Sequence, residues 1–294
     1  MSIQYLALAK NNHVYRDVAT SFRYPGGDLH LKDVADPPTG VVWIADVRGA
    51  DPDDLFYAAL LADIAERRDE PFVLFLPYLP AARADKDVPR GVKVYADQIN
   101  AIKAHQVIGI DAHSGVINRH LNNLTELGLV PLVKKALGYK NGPQSDFDDV
   151  EHWYDAIICP DEGALGRAAR VAEELGPFGV DVYHAVKQRD QETGRILCLE
   201  MVQKPPAKGS YLVVDDICDG GGTFQLVADA TGIPQEQLGL WVTHGIFSGK
   251  ANLLRRFYGK IFTTDSHPGH DCADVATSVT PVEAYMLQNV KDFG

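Results

Sequence analysis

The 294-residue sequence carries a formal net charge of −12, with 46% apolar and 23% charged residues, the balance of a globular chain long enough for two ordinary cores rather than of a disordered or fibrous one. The acid surplus argues against a nucleic-acid partner, which needs a basic face to displace counterions, but leaves room for a small anionic ligand held by a few basic side chains and backbone N–H groups. No apolar run approaches the roughly 20 residues that cross a bilayer, and MSIQYLALAKNNH lacks the layout of a secretory signal, so the expectation is a cytoplasmic protein without a membrane partner.

In chain order, β-rich apolar runs fall at 41–46, 71–78, 106–111, 155–161, 179–187, 211–216, 238–245 and 260–266. Between them, 53–68, 92–105, 163–176 and 222–232 place apolar residues three and four apart, the helical period. Strand and helix therefore alternate, which predicts an α/β fold of two doubly wound domains with mainly parallel sheets. The polar segment 138–152, with Gly and Pro, reads as the boundary, giving domains 1–145 and 146–294. Four widely spaced cysteines, Cys159, Cys198, Cys218 and Cys272, suggest neither a zinc site nor a disulfide framework.

Asp46, Asp111, Asp161, Asp215, Asp216 and Asp265 all stand at the carboxyl end of an apolar run, where open parallel sheets bind ligands. Singly, each reads as a helix N-cap. In VVDDICDGGGTF (213–224) the acids meet a glycine turn. Glycines let backbone N–H groups curl around an anion, and the helix that follows adds its partial positive charge. Carboxylates beside a phosphate suit sugar hydroxyls or a Mg²⁺ ion. The pieces together describe a phosphorylated ribose, against the plainer alternative of a strand-to-helix turn with solvent-facing acids.

That stretch resembles the phosphoribosyl diphosphate loop of the type I phosphoribosyltransferase superfamily. FRYPGGDLHL (22–31), PYLPAARADKD (77–87), GIDAHSG (109–115), CPDEGALGRA (159–168) and THGIFSGKA (243–251) resemble, in family order, segments of its ribose-phosphate pyrophosphokinase branch. The resemblance implies a phosphoribosyltransferase-like fold with an ATP-side N-terminal domain. It implies Mg²⁺-dependent transfer of the diphosphoryl group of ATP to the C1 hydroxyl of ribose 5-phosphate. Carried over, Tyr24, Asp28, Arg83 and Lys86 would bind ATP, near a subunit interface of a homo-oligomer. His113 and Asp161 would be associated with the metal, and Lys187, Arg189 and His113 would act in catalysis, the first two from a mobile loop. Asp215, Asp216, Asp219, Gly220, Gly221, Gly222 and Thr223 would hold the ribose phosphate. His244 reads equally as a core residue.

Departures accompany the match. Gly220 stands where the family has Thr, Gln188 where it has Arg, and Ala84 where it has Gln; the stretch from Asp85 to Asp111, which carries the family's allosteric loop, is shorter than usual. Space at Gly220 leaves ADP-ribose open as an alternative acceptor, and a catalytically silent regulatory relative is a third reading.

Overall fold

The computed structural model describes residues 3–81, 83–84, 89–139, 150–176, 179–189, 196–272 and 274–293, with backbone alone at 187–189 and 196–198. The chain forms two compact units, Met1–Leu127 with Glu283–Gly294, and Gly128–Val282. The division differs from the expected break at 145/146: it falls before the polar segment, and the last residues return to the first unit. Position 145 itself lies outside the described residues.

The first unit begins with β1 (Ile3–Leu8), β2 (Val14–Arg16), β3 (Thr20–Arg23) and β4 (Leu29–Lys32), followed by β5 (Val42–Val47), α1 (Pro52–Arg67), β6 (Phe72–Leu76), α2 (Gly91–Ala101), β7 (Gln106–Ile110) and β8 (Leu124–Leu127). Six strands make one sheet in the order β2-β1-β5-β6-β7-β8. β5 to β8 are parallel neighbours, and β1 runs antiparallel to β5. β6 and β7 are buried along their whole length, as their unbroken apolar runs require of strands covered on both faces. α1 starts where Asp51 accepts from the N–H of Asp53 at 3.0 Å with Pro52 next in line. It buries Leu55, Ala58, Leu61 and Ala65, a single stripe at helical spacing.

The second unit contains α3 (Val130–Ala136), β9 (Ala156–Cys159), α4 (Leu165–Glu174), β10 (Asp181–Arg189), β11 (Ile196–Met201), β12 (Tyr211–Cys218), α5 (Gly222–Thr231), β13 (Leu238–Gly245), β14 (Lys260–Thr264) and β15 (Ser278–Thr280). Its sheet runs β11-β10-β9-β12-β13-β14-β15 and is parallel throughout except for the β10–β11 pair. From β9 the chain first adds β10 on one side and later β12 on the other, so strand order reverses between β9 and β12. No helix among the described residues is long and apolar enough to cross a membrane.

α6 (Glu283–Leu287) and the residues after it complete the first unit. The fully buried Gln106 side chain donates to the Asn289 carbonyl and accepts from the Lys291 N–H, both at 3.0 Å, and also donates to Thr125 Oγ1. Arg16 pairs in forked fashion with Glu283 at 2.8 and 2.5 Å. Leucine at position 106 leaves two backbone groups of the tail without partners, each costing about 1–3 kcal/mol. Gln106→Leu is therefore expected to raise deuterium uptake across 288–293 by at least about tenfold; unchanged uptake would show that the amide is not the clamp.

Candidate active site

The register of β12 with β9 ends at the Val213–Ile158 pair, whereas its pairing with β13 continues to Cys218 and Gly245. Asp215 and Asp216 thus sit where β12 has lost its neighbour on one side. That is the crevice beyond the carboxyl ends of the strands, at the reversal of strand order, where open α/β sheets take their ligands.

Asp216 is buried at 2% exposure, and Asp215 is half-buried. Asp215 accepts from the Asp216 N–H at 2.9 Å. Its carboxyl is held well above the ordinary range by burial first and by the Asp216 carboxylate beside it, with Arg167 acting in the opposite sense. Arg167, on α4 and only 7% exposed, places Nη1 3.5 Å from Asp215 and Nη2 3.6 Å from Asp216. Cys159, at the end of β9, donates through Sγ to the Asp161 carbonyl at 2.7 Å, and burial pushes its thiol up to about 12. It is no nucleophile near neutral pH.

The turn after β12 is open. Gly221 has φ +79°, a backbone that disfavours any side chain. Gly220 and Gly222 are exposed, and a Cβ on either would meet nothing within 4 Å. The N–H groups of Gly220, Gly221, Gly222 and Thr223 donate to no other described residue. They follow one another into the start of α5, where first-turn amides have no partner within a helix. An anion cradle needs these features.

Two neighbouring turns brace this one. The N–H groups of Ile246 and Phe247 both donate to the Cys218 carbonyl, at 2.9 and 3.0 Å, and Ser248 Oγ donates to the Asp219 carboxylate. Behind them Gly269 packs so closely that a Cβ there would lie 2.1 Å from the Ile246 carbonyl oxygen. His267, which follows β14, accepts through Nδ1 from the Gly269 N–H at 3.0 Å. Burial, with His244 and His270 nearby, lowers it to about 4, against the pull of Asp219; it is a neutral imidazole at physiological pH. His244 is buried with Nδ1 2.7 Å from Ser266 Oγ, a satisfied core residue.

The strand-end aspartates divide into kinds. Asp46 lies inside β5, fully buried and 2.9 Å from Arg48. Asp265 accepts from the Val282 N–H at 2.9 Å and fastens the chain beyond β15. Asp161 caps the turn at 162–164 by accepting from the Ala164 N–H at 3.2 Å. In the first unit Tyr24 is 47% exposed on the β3–β4 hairpin, edge-on to Phe22 and stacked with His30. Asp28 closes that turn through its carbonyl, which accepts from the Tyr24 N–H at 2.8 Å. Arg83 and His113 are exposed, His113 in the loop after β7. Lys86 lies outside the described residues, and the backbone of Lys187 and Arg189 forms the end of β10 rather than a loop. Sequence reasoning passed over Arg167, Ser248 and His267. Arg167 and Ser248 stand inside matched segments, whereas His267 lies just beyond the last apolar strand and gave no signal.

Two mainly parallel sheets, with a glycine turn behind paired acids at the point of strand reversal, define a protein of the phosphoribosyltransferase-like class. No protein-family model matches the chain. The chain is 26% identical over 297 residues to the ribose-phosphate pyrophosphokinase of Campylobacter jejuni, covering 94% of itself and 91% of that protein. It is 26% identical to the enzyme of the same name from Agrobacterium fabrum, covering 82% and 79%. The crystal structure of phosphoribosylpyrophosphate synthetase from Mycobacterium smegmatis superposes with a TM-score of 0.69 at 18% identity, over 92% of this chain and 88% of that one, a likeness of fold. The chain is a divergent relative of the ribose-phosphate pyrophosphokinases.

Proposed function

We propose that this protein transfers the diphosphoryl group of ATP to the C1 hydroxyl of ribose 5-phosphate, giving phosphoribosyl diphosphate and AMP. The observation that carries this reading is the open turn at 219–223. Amides without acceptors among the described residues stand behind two acids at the switch point, which together match a terminal phosphate and a pair of sugar hydroxyls. The named relatives, similar over most of the chain, support the same chemistry.

In the reaction the C1 oxygen bonds to the β-phosphorus, the bond from that phosphorus to the AMP oxygen breaks, and the hydroxyl proton leaves. Asp215 and Asp216 would accept from the sugar hydroxyls, and the amides of 220–223 would hold the 5-phosphate, fixing C1 for in-line attack. Lys187 and Arg189 would meet the charge that grows on the transferred group. Tyr24, Asp28, Arg83 and Lys86 would bind ATP, in a homo-oligomer whose interface adjoins that site.

Mg²⁺ is the expected cofactor. Among the described residues no three His, Cys, Asp or Glu side chains gather as a cage, which suits an ion that takes its ligands from nucleotide phosphates, water and one or two carboxylates. Asp161 is a fitting donor, and the His113 imidazole, poorer for so hard an ion, suits a water-mediated place. When bound, Mg²⁺ would neutralise phosphate charge.

A larger acceptor such as ADP-ribose is the second reading, favoured by the empty space around Gly220. AMP release from ATP, measured with each acceptor, separates the two. Lys187→Ala is expected to cut the rate by about 100-fold or more; a parent that releases no AMP with either sugar would instead be the silent relative.

A further inference from the structure

Arg167 lies inside a segment that resembles the relatives, but the resemblance gave it no role. A buried arginine that merely neutralised one acid would take it in a fork, with two parallel contacts of about 2.7–2.9 Å. Arg167 does not. It divides its guanidinium, one nitrogen 3.5 Å from Asp215 and the other 3.6 Å from Asp216. At those separations the attraction between the guanidinium and each carboxylate is mainly charge to charge. One arm of a planar, permanently charged group thus faces each of two adjacent acids, from a helix on the far side of the crevice from the glycine turn.

Because Asp215 and Asp216 follow one another on β12, their side chains would by strand alternation leave on opposite faces. Both nevertheless reach the same guanidinium, which sets their mutual orientation. The Asp216 N–H on Asp215 is the other tie. Titratable neighbours include Asp161 and Cys159 at the end of β9, and Cys218 and Asp219 further along the chain from the pair. Arg167 is a cation acting on Asp215.

We propose that Arg167 is a positioning residue, bridging Asp215 and Asp216 so that the pair presents two carboxylates jointly to the vicinal hydroxyls of a sugar phosphate. The inference rests on the ribose-phosphate reading of this site. Arg167 does not touch the sugar; it acts through the acids. Lysine, a single point charge, can face one of them at a time.

Direct calorimetric binding of ribose 5-phosphate, alongside steady-state assays, tests this. Arg167→Met is expected to weaken ribose 5-phosphate binding by about tenfold or more while leaving KM for ATP within about twofold, a split that general loosening of the unit would not give. Arg167→Lys is expected to fall between Met and the parent. In a double-mutant cycle, adding Asp216→Asn to Arg167→Met should cost much less than Asp216→Asn costs alone, because the two act as one unit. Additive effects, or parental affinity in Arg167→Met, would overturn the assignment. Should the Met variant fail to fold, parental affinity in a folded Arg167→Lys would overturn it equally. A parent that binds no ribose 5-phosphate would sink the reading of the site itself, an outcome distinct from a parent that binds and an Arg167→Met that binds as well.

Discussion

Asp216→Asn is expected to lower kcat/KM for ribose 5-phosphate by about 100-fold or more, while the protein stays folded. The loss has two parts: a hydrogen bond from a sugar hydroxyl to an ionised oxygen, worth about 1.5–3 kcal/mol, and the wrong polarity of an amide NH₂ where an acceptor is needed. Stability should move little, because the substitution also removes the repulsion that, after burial, raises Asp215. The sign can be checked by pH. A buried acid whose folded value is raised binds its proton more tightly when native, so stability falls as pH rises from the ordinary carboxylate value toward the folded one. Thermal melts of the parent should show that fall, and the Asp216→Asn curve should be flatter. A variant with parental kcat/KM would remove the acids from the sugar site.

The second large effect is structural. Gly269→Ala puts a methyl group 2.1 Å from the Ile246 carbonyl oxygen and 2.6 Å from its carbon, backbone that cannot swing aside. Overpacking of this kind costs about 1–3 kcal/mol and occasionally more; the upper end is expected here, with a clear drop in Tm. Ile246 and Phe247 are tied to the end of β12, so the displacement should also pull Ser248 from Asp219 and weaken sugar-phosphate binding in whatever protein remains folded. Gly222→Ala is the matched comparison: its methyl meets nothing within 4 Å, and Tm should hold. Equal melting of the two variants would contradict the packing described between the turns.

The long buried strands were legible because continuous runs such as FVLFL and YLVVDD admit few other structures, and α1 announced itself through apolar residues three and four apart across 53–68. Strands β2, β3, β4 and β15, three or four residues each, are too short for a two-residue period to be told from chance. The division after Leu127 was not legible for a related reason. Polarity at 138–152 marks an exposed stretch, whereas the partition depends on the contacts α3 makes with β15 and α4, which no local pattern encodes. At the site, glycines and strand-end acids stood out, but the sorting of those acids did not. Whether an aspartate meets Arg48, the Val282 amide or Arg167 is decided by partners up to tens of residues away.

The Gln106 clamp joins residues 185 positions apart. At ribosomal speeds of 5–20 residues per second, roughly 10–40 s pass between the emergence of Gln106 and that of its tail partners. For most of that interval every strand of the first sheet is already synthesised, yet the buried Gln106 amide has Thr125 but neither of its tail partners. The second unit, contiguous in sequence, is thus free to finish first, and the half of the protein made earliest is the last to be closed.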